Sequence, residues 1–270
     1  MKPTARSPIG VFDSGLGGLT VFKALARRMP GESLVYFGDT AHVPYGSKSP
    51  EAIARYSTAV ARFLAGRGIK LLVVACNTSS AWALPAIRRA VKVPVIGVIE
   101  PGARAALAAT RGGRVGVIGT EATVKSGAYP KAIRAVSPKT RTVSQACPLF
   151  VPLVEEGWWD GKVVDEVARK YTAPLRAARV DTVILGCTHY PYLKKTIGKA
   201  MGPRVKLIDS AEETARETER VLAELRLRAP NRKLGNRMFF ASDAPERFAR
   251  LGKRMLGAAV KSVKLHPFDA

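Results

Sequence analysis

Cysteine is scarce: Cys76, Cys147 and Cys187 are the whole complement of a chain of 270 residues. An odd count without a C-x-x-C pair is neither a disulfide framework nor a zinc pattern, which predicts a reducing compartment. Aromatic residues are few as well, at 7%. Long hydrophobic runs are missing, since stretches such as Leu71–Cys76 are far too short to cross a bilayer. The N-terminal stretch MKPTARSPIGVF meets no apolar targeting core before glycine and aspartate intervene. No signal peptide is expected, and the predicted location is the cytoplasm. Acidic residues are in short supply, 21 against 44 basic ones, for a formal charge of +23.

What is present belongs to an ordinary globular protein. At 47% apolar, the chain has enough hydrophobic material to offset its conformational entropy, so disorder is excluded. Its length lets it bury a core without a disulfide or metal staple. The basic excess invites a nucleic-acid reading, but it is evenly spread. Residues 1–100 carry 13 basic against 5 acidic, residues 101–210 carry 18 against 8, and residues 211–270 carry 13 against 8. No basic run exceeds pairs such as Arg27-Arg28, and no aromatics are interleaved. Solvation or an anionic small-molecule substrate accounts for the charge, and specific nucleic-acid or membrane partners are not expected. Homodimerisation is left open.

Short apolar runs alternate with longer helical patterns. Strands are predicted at Ile9–Phe12, Leu34–Phe37, Leu71–Ala75, Val95–Val98, Val115–Ile118, Thr182–Leu185 and Val205–Ile208. Helices are predicted at Thr20–Met29, Pro50–Gly66, Ala81–Val91, Gly102–Thr110, Lys162–Arg179 and Pro191–Met201. Such alternation implies parallel sheets covered on both faces, with ligands at the carboxyl ends of the strands. The residues just after each strand repeat. Ile9-Gly-Val-Phe-Asp13-Ser14 resembles Val115-Gly-Val-Ile-Gly119-Thr120, with Val11 and Val117 separated by 106 positions. Leu72-Val-Val-Ala-Cys76-Asn77-Thr78 resembles Val183-Ile-Leu-Gly-Cys187-Thr188-His189 at an offset of 111. The expected α/β architecture is therefore two similar parallel-sheet domains facing each other, 1–98 and 99–209, with Pro101-Gly102 marking the crossing. Residues 210–270, carrying a strand at Arg237–Ala241 and a helix at Pro245–Leu256, are expected to return to the first domain.

Cys76 and Cys187 each follow a strand and precede a helical signal, a position whose free N–H groups favour a thiolate and can hold a carboxylate. Buried cysteine is often plain packing, the reading given to Cys147. Two cysteines in equivalent positions at strand mouths ask for more. Asp13 opens Ser14-Gly-Leu-Gly-Gly18, which lacks the glycine spacing and the G-K-[ST] of a phosphate loop. Asp13 either caps the next helix or serves a substrate ammonium or Cys76. His189 lies two residues beyond Cys187, where it can supply charge or a proton. His42 sits in a loop and His266 in the tail, and no zinc-ligand spacing is found. The Pro44-Tyr45-Gly46-Ser47 turn is either punctuation or a small-anion cradle.

Together these segments resemble the glutamate racemases of the aspartate/glutamate racemase superfamily. The likeness rests on Val11-Phe-Asp-Ser-Gly-Leu-Gly-Gly18, Tyr36-Phe-Gly-Asp-Thr40, Pro44-Tyr-Gly-Ser47 and Ala75-Cys-Asn-Thr-Ser79. It continues through Pro148-Leu-Phe-Val-Pro-Leu-Val-Glu-Glu156, Leu185-Gly-Cys-Thr-His-Tyr-Pro191, Ile208-Asp-Ser210 and Ser242-Asp-Ala-Pro-Glu-Arg-Phe248. The resemblance implies cofactor-independent, metal-free racemisation of glutamate, with D-glutamate destined for peptidoglycan. It implies that Cys76 and Cys187 are the acid/base thiols, assisted by Asp13 and His189 respectively, with Glu155 as a helper. It further implies substrate contacts from Asp13, Ser14, Pro44, Tyr45, Gly46, Asn77, Thr78, Thr188 and His189. The alternatives are an aspartate racemase and a cysteine hydrolase using a single thiol with His189 as base.

Overall fold

The computed structural model describes residues 3–230, 234–257, 260 and 262–268. Its strands are β1 (Ile9–Asp13), β2 (Leu34–Gly38), β3 (Leu71–Val74), β4 (Val95–Gly97) and β5 (Arg114–Gly119). They continue as β6 (Arg141–Ala146), β7 (Thr182–Gly186), β8 (Lys206–Ile208), β9 (Arg237–Ala241) and β10 (Lys264–Leu265). Two wholly parallel sheets result. One is six-stranded, in the order β10-β9-β2-β1-β3-β4, and the other is four-stranded, in the order β6-β5-β7-β8. The blocks β2-β1-β3-β4 and β6-β5-β7-β8 have the same order, which is the internal repeat seen in the sequence. β1, β2, β3 and β7 are buried along their whole length, as strands covered on both faces must be.

The six-stranded sheet is completed from the far end of the chain. β9 pairs in parallel with β2, Leu34 opposite Arg237 and Gly38 opposite Ala241, and the β10 strand adds outside it. Helix Pro245–Leu256 then packs its Phe248 and Met255 into the main core. At the opposite end from the strand mouths, Lys70 and Glu32 form a fully buried ion pair. The Lys70 ammonium also donates to the carbonyls of Ala5 and Leu227 at 2.7 Å each, and Glu32 accepts from the Ala229 N–H.

Several elements differ from expectation, each for a local reason. The helix predicted at Ala81–Val91 is two, Asn77–Trp82 and Leu84–Ala90. Pro85 has no N–H for the preceding turn, and its ring crowds that turn's carbonyl, so the chain breaks at Ala83. The polar run Asn77–Ser80, read as caps, is itself the first turn, with Cys76 as its cap. Pro101-Gly102 lies inside helix Ile99–Ala109 instead of between elements. Ahead of helix Lys194–Met201 the chain makes a 3-10 turn, Tyr190–Leu193. β6 was missed because it is a half-buried edge strand, Arg-Thr-Val-Ser-Gln-Ala, with one exposed end and no continuous apolar run. The repeat held a signal for it, since Leu34–Gly38 shifted by the same 106 positions lands on 140–144. Helix Ser210–Glu224 was missed because its buried stripe is mostly Ala and Thr, which gives little periodicity.

Candidate active site

β1, β3, β5 and β7 end in one seam between the two sheets, and their following residues form a buried polar cluster. Cys76 follows β3 and caps helix Asn77–Trp82, its sulphur accepting from the Ser79 N–H at 3.5 Å. Its thiol donates to Ser14 Oγ at 3.5 Å. Cys187 follows β7, and its sulphur lies 3.8 Å from His189 Nδ1. The other face of that imidazole meets Glu155 Oε1 at 3.2 Å. Asp13, at the end of β1, joins the two halves: Thr188 Oγ1 donates to its Oδ1 at 3.2 Å. Its Oδ2 accepts from the Gly15 N–H at 3.0 Å, so the carboxylate folds its own loop instead of capping helix Leu19–Arg28 with a side chain.

The glycines of this loop are there for close approach, not for phosphate. A Cβ on Gly17 would fall 2.5 Å from His189 Nδ1 and nearer still to Thr188 Oγ1. One on Gly18 would fall 2.5 Å from Asp13 Cβ and 2.9 Å from the Tyr36 hydroxyl. Only bare backbone lets the second half come down onto the first.

The two thiols face opposite electrostatics. Burial, and then the Asp13 carboxylate, push the Cys76 thiol up to about 11, against the N–H groups and hydroxyls that favour its charge. This corrects the expectation that the helix start would lower it: desolvation penalises the anion more than a one-and-a-half-turn helix rewards it. Asp13 is itself raised, by burial, against the opposing pull of His189, Gly18, Gly15 and Thr188. At the other sulphur the neighbour is a cation. Burial disfavours charge on His189, but Cys187 and Glu155 outweigh it and push the imidazole up to about 10. Glu155 is held below the usual carboxylate range, its burial outweighed by His189 and then Arg247. Cys187 precedes a 3-10 turn and not an α-helix, so here too the helix-start expectation gives way, and His189 is the positive charge beside it.

The remaining candidates line the same seam or its margin. Tyr45 is buried on the short turn Tyr45–Ser47, and its hydroxyl donates to Asp39, which also accepts from Ser242 Oγ at 2.6 Å. Pro44 precedes that turn and is exposed. Gly46 lies against Thr120, where a Cβ would stand 2.6 Å from the threonine Cβ. Thr78 Oγ1 reaches across to Thr120 Oγ1 at 3.0 Å and Thr123 Oγ1 at 3.1 Å. Asn77 Oδ1 accepts from the Tyr129 hydroxyl at 2.7 Å, while its Nδ2 is buried without a partner. Thr120, Thr123, Tyr129 and Tyr36 were not singled out from the sequence. Thr120 could have been, because Gly119-Thr120 occupies in the repeat the place of Asp13-Ser14. Cys147 is fully buried, its thiol donating to the Gln145 carbonyl at 3.6 Å, apart from the pairings of the other two cysteines.

Among the described residues, no group of three or more His, Cys, Asp or Glu side chains is placed to hold a metal ion. No helix there is long and apolar enough to cross a membrane. The larger surface cavities, of about 510 and 470 Å³, lie away from the thiols. The seam itself is closed, with Asp13 at 0%, Cys76 at 4%, Cys187 at 7% and His189 at 2% exposure.

Residues 9–218 match the Asp/Glu/Hydantoin racemase family. The chain is 56% identical over 255 residues to the glutamate racemase of Geobacter metallireducens, covering 94% of both chains. Glutamate racemase from Francisella tularensis, solved in complex with D-glutamate, superposes with a TM-score of 0.92 at 37% identity, covering 98% of this chain and 99% of that one. The Thermus thermophilus glutamate racemase, in complex with beta-chloro-D-alanine, gives a TM-score of 0.87 at 47% identity over 98% of both chains.

Proposed function

The chain belongs to the Asp/Glu/Hydantoin racemase family, and from that premise we propose that it interconverts L- and D-glutamate, Cys76 and Cys187 exchanging protons with opposite faces of the substrate Cα. The observation that carries this reading is the pair of thiols after equivalent strands of two facing half-sheets, joined through the Asp13–Thr188 bond of 3.2 Å. One short side chain cannot serve both faces of a carbon, whereas two facing ones can. The Cα proton is weakly acidic, so the carbanion needs donors fixed in place before it forms. Ser14, Thr78, Thr188 and the Tyr45-Gly46 backbone offer such donors, and Asn77 offers one that holds a carboxylate throughout. The Asp13 carboxyl suits the substrate ammonium as well as Cys76.

The charge pattern supports a division of roles. A thiol beside a carboxylate keeps its proton and is ready to give it; a sulphur beside an imidazolium is suited to take one. In this scheme one thiol gives a proton on one face while the other takes a proton on the opposite face, and the reverse direction exchanges the roles. Glu155 serves by keeping the proton on His189. Closing the halves over the substrate excludes water, which strengthens all these contacts. No cofactor takes part in this scheme. A cytoplasmic site of action and delivery of D-glutamate to peptidoglycan complete the reading, on the resemblance of the sequence.

A second reading has one observation in its favour. The line Glu155–His189–Cys187 is also how a hydrolase activates a thiol. It leaves Cys76, Asp13 and the repeat without a task. Trapping an acyl-enzyme on Cys187 would favour it.

The test is incubation of the purified protein with L-glutamate alone, followed by loss of optical rotation. In D₂O, early product should carry deuterium at Cα while unreacted substrate stays protiated, because the donating thiol has already exchanged with solvent. Cys76→Ala and Cys187→Ala should each abolish turnover, about a thousandfold or more, since each direction needs both groups. Early product retaining the substrate proton, or a fully active Cys187→Ala protein, would refute the two-thiol scheme.

A further inference from the structure

Asn77 holds a buried donor that nothing satisfies: its Nδ2 and the Thr182 hydroxyl are the buried side-chain polar atoms without partners among the described residues. Buried polar groups are nearly always paired, so an orphan beside a catalytic thiol points to a missing acceptor. The other end of the same amide is fixed from the opposite domain. Tyr129, on helix Ala128–Val136, donates its hydroxyl hydrogen to Asn77 Oδ1 at 2.7 Å. Tyr129 is 1% exposed and packed without slack: a Cβ on Gly186 would stand 3.1 Å from its ring. A Cβ on Gly102 would meet both the Tyr129 hydroxyl oxygen at 3.3 Å and Ser210 Cβ at 3.2 Å, so serine and phenol close on one spot. The phenol's own hydrogen is directed to Asn77 Oδ1. With Oδ1 accepting from the phenol, Nδ2 is the end of the amide that faces away from Tyr129 without a partner.

We propose that Tyr129 is a positioning residue, which locks the Asn77 amide across the domain boundary so that Nδ2 is presented to a substrate carboxylate beside Cys76. The proposal rests on the racemase reading above, in which Asn77 binds substrate. It adds that a donor of the first half is aimed by the second half, through Tyr129. The donor is therefore correctly oriented only when the two halves are together. Tyr129 acts through Asn77, and proton transfer stays with the thiols.

Tyr129→Phe removes one oxygen and keeps the ring in its packing. If the amide then loses its orientation, KM for L-glutamate should rise at least tenfold while kcat stays within about threefold, because a carboxylate is contacted alike in ground and transition states. Asn77→Ala should raise KM by a similar factor, and the double variant should be no worse than Asn77→Ala alone. An unchanged KM in Tyr129→Phe, a loss confined to kcat, or a double variant in which the two factors multiply would overturn the proposal. Wild-type protein is assayed first, and failure of that protein to racemise glutamate would remove the proposed function and not the amide lock.

Discussion

His189 is buried between the Cys187 sulphur and the Glu155 carboxylate, and its ionisation follows from that. Model histidine titrates near about 6.5, whereas the folded protein pushes His189 up to about 10, the Cys187 and Glu155 partners outweighing burial. Between those values the folded protein holds a proton that the unfolded chain has released. The stability this contributes is whole below about pH 6.5 and is lost as the pH rises through about 10. We expect ¹⁵N NMR to find the His189 ring still protonated at pH 8, where an exposed histidine is neutral. The fall in Tm between pH 7 and pH 10 should be shallower in His189→Asn than in the wild type. A neutral ring at pH 8 would mean that Glu155 and Cys187 do not retain the cation. The partner of Cys187 was legible in the sequence only as a nearby histidine. That Glu155, 34 positions away, closes the other side of the ring could not be read from spacing.

At the scale of the element, the loop between β1 and helix Leu19–Arg28 shows why its glycines are where they are. Gly17→Ala would put a methyl group inside the contact distance of Thr188 and His189. Neither neighbour is a flexible surface side chain, so the second half must back away from the first. Overpacking of this kind costs about 2 kcal/mol, and the displacement also separates Thr188 from Asp13. We expect Gly17→Ala to lose at least a hundredfold in kcat/KM for glutamate, with a measurable drop in Tm. An alanine variant with near wild-type turnover would show that the closed seam is not the working state. Gly68, which has φ +71 but open space around it, should tolerate alanine at the site while straining its own turn. The sequence marked Gly15-Leu16-Gly17-Gly18 as unusual but could not say what Gly17 approaches, because Thr188 and His189 follow a strand about 170 positions later.

For the whole molecule, the C-terminal stretch decides whether the first sheet has an edge. β2 is buried throughout and has β9 as its outer neighbour, so the six-stranded sheet is finished only when the chain returns. The return is pinned by the Lys70–Glu32 pair, which holds Leu227 and Ala229 at the base of the sheet. Removing one partner leaves a buried, uncompensated charge, worth about 3–5 kcal/mol. Lys70→Ala should therefore lower stability by that order in a denaturant titration, although Lys70 lies at the opposite end of β3 from Cys76. A loss under 1 kcal/mol would show that Glu32 finds another partner or the segment detaches. The exposed pairs along helix Ser210–Glu224, such as Arg104–Glu217 at 3.0 Å, should each matter by less than about 1 kcal/mol. The even spread of the +23 charge predicts nucleic-acid binding that is weak, indifferent to sequence and steeply reduced by salt.

Sequence alone determined the alternation of strand and helix, the repeat at offsets of 106 and 111, and the two cysteines at strand mouths. These are legible because each depends on neighbours a few residues apart: apolar continuity makes a doubly covered strand, and proline, glycine and polar caps punctuate it. The tertiary structure decided what those residues meet. It put a carboxylate beside Cys76 and an imidazolium beside Cys187, linked Asp13 to Thr188, and brought Tyr129 to Asn77. It also placed β9 next to β2 and gave the weakly patterned helix Ser210–Glu224 its partners. Charge, burial and contact act through space within a few ångströms, and chain separation carries no record of which segments the packing will bring that close.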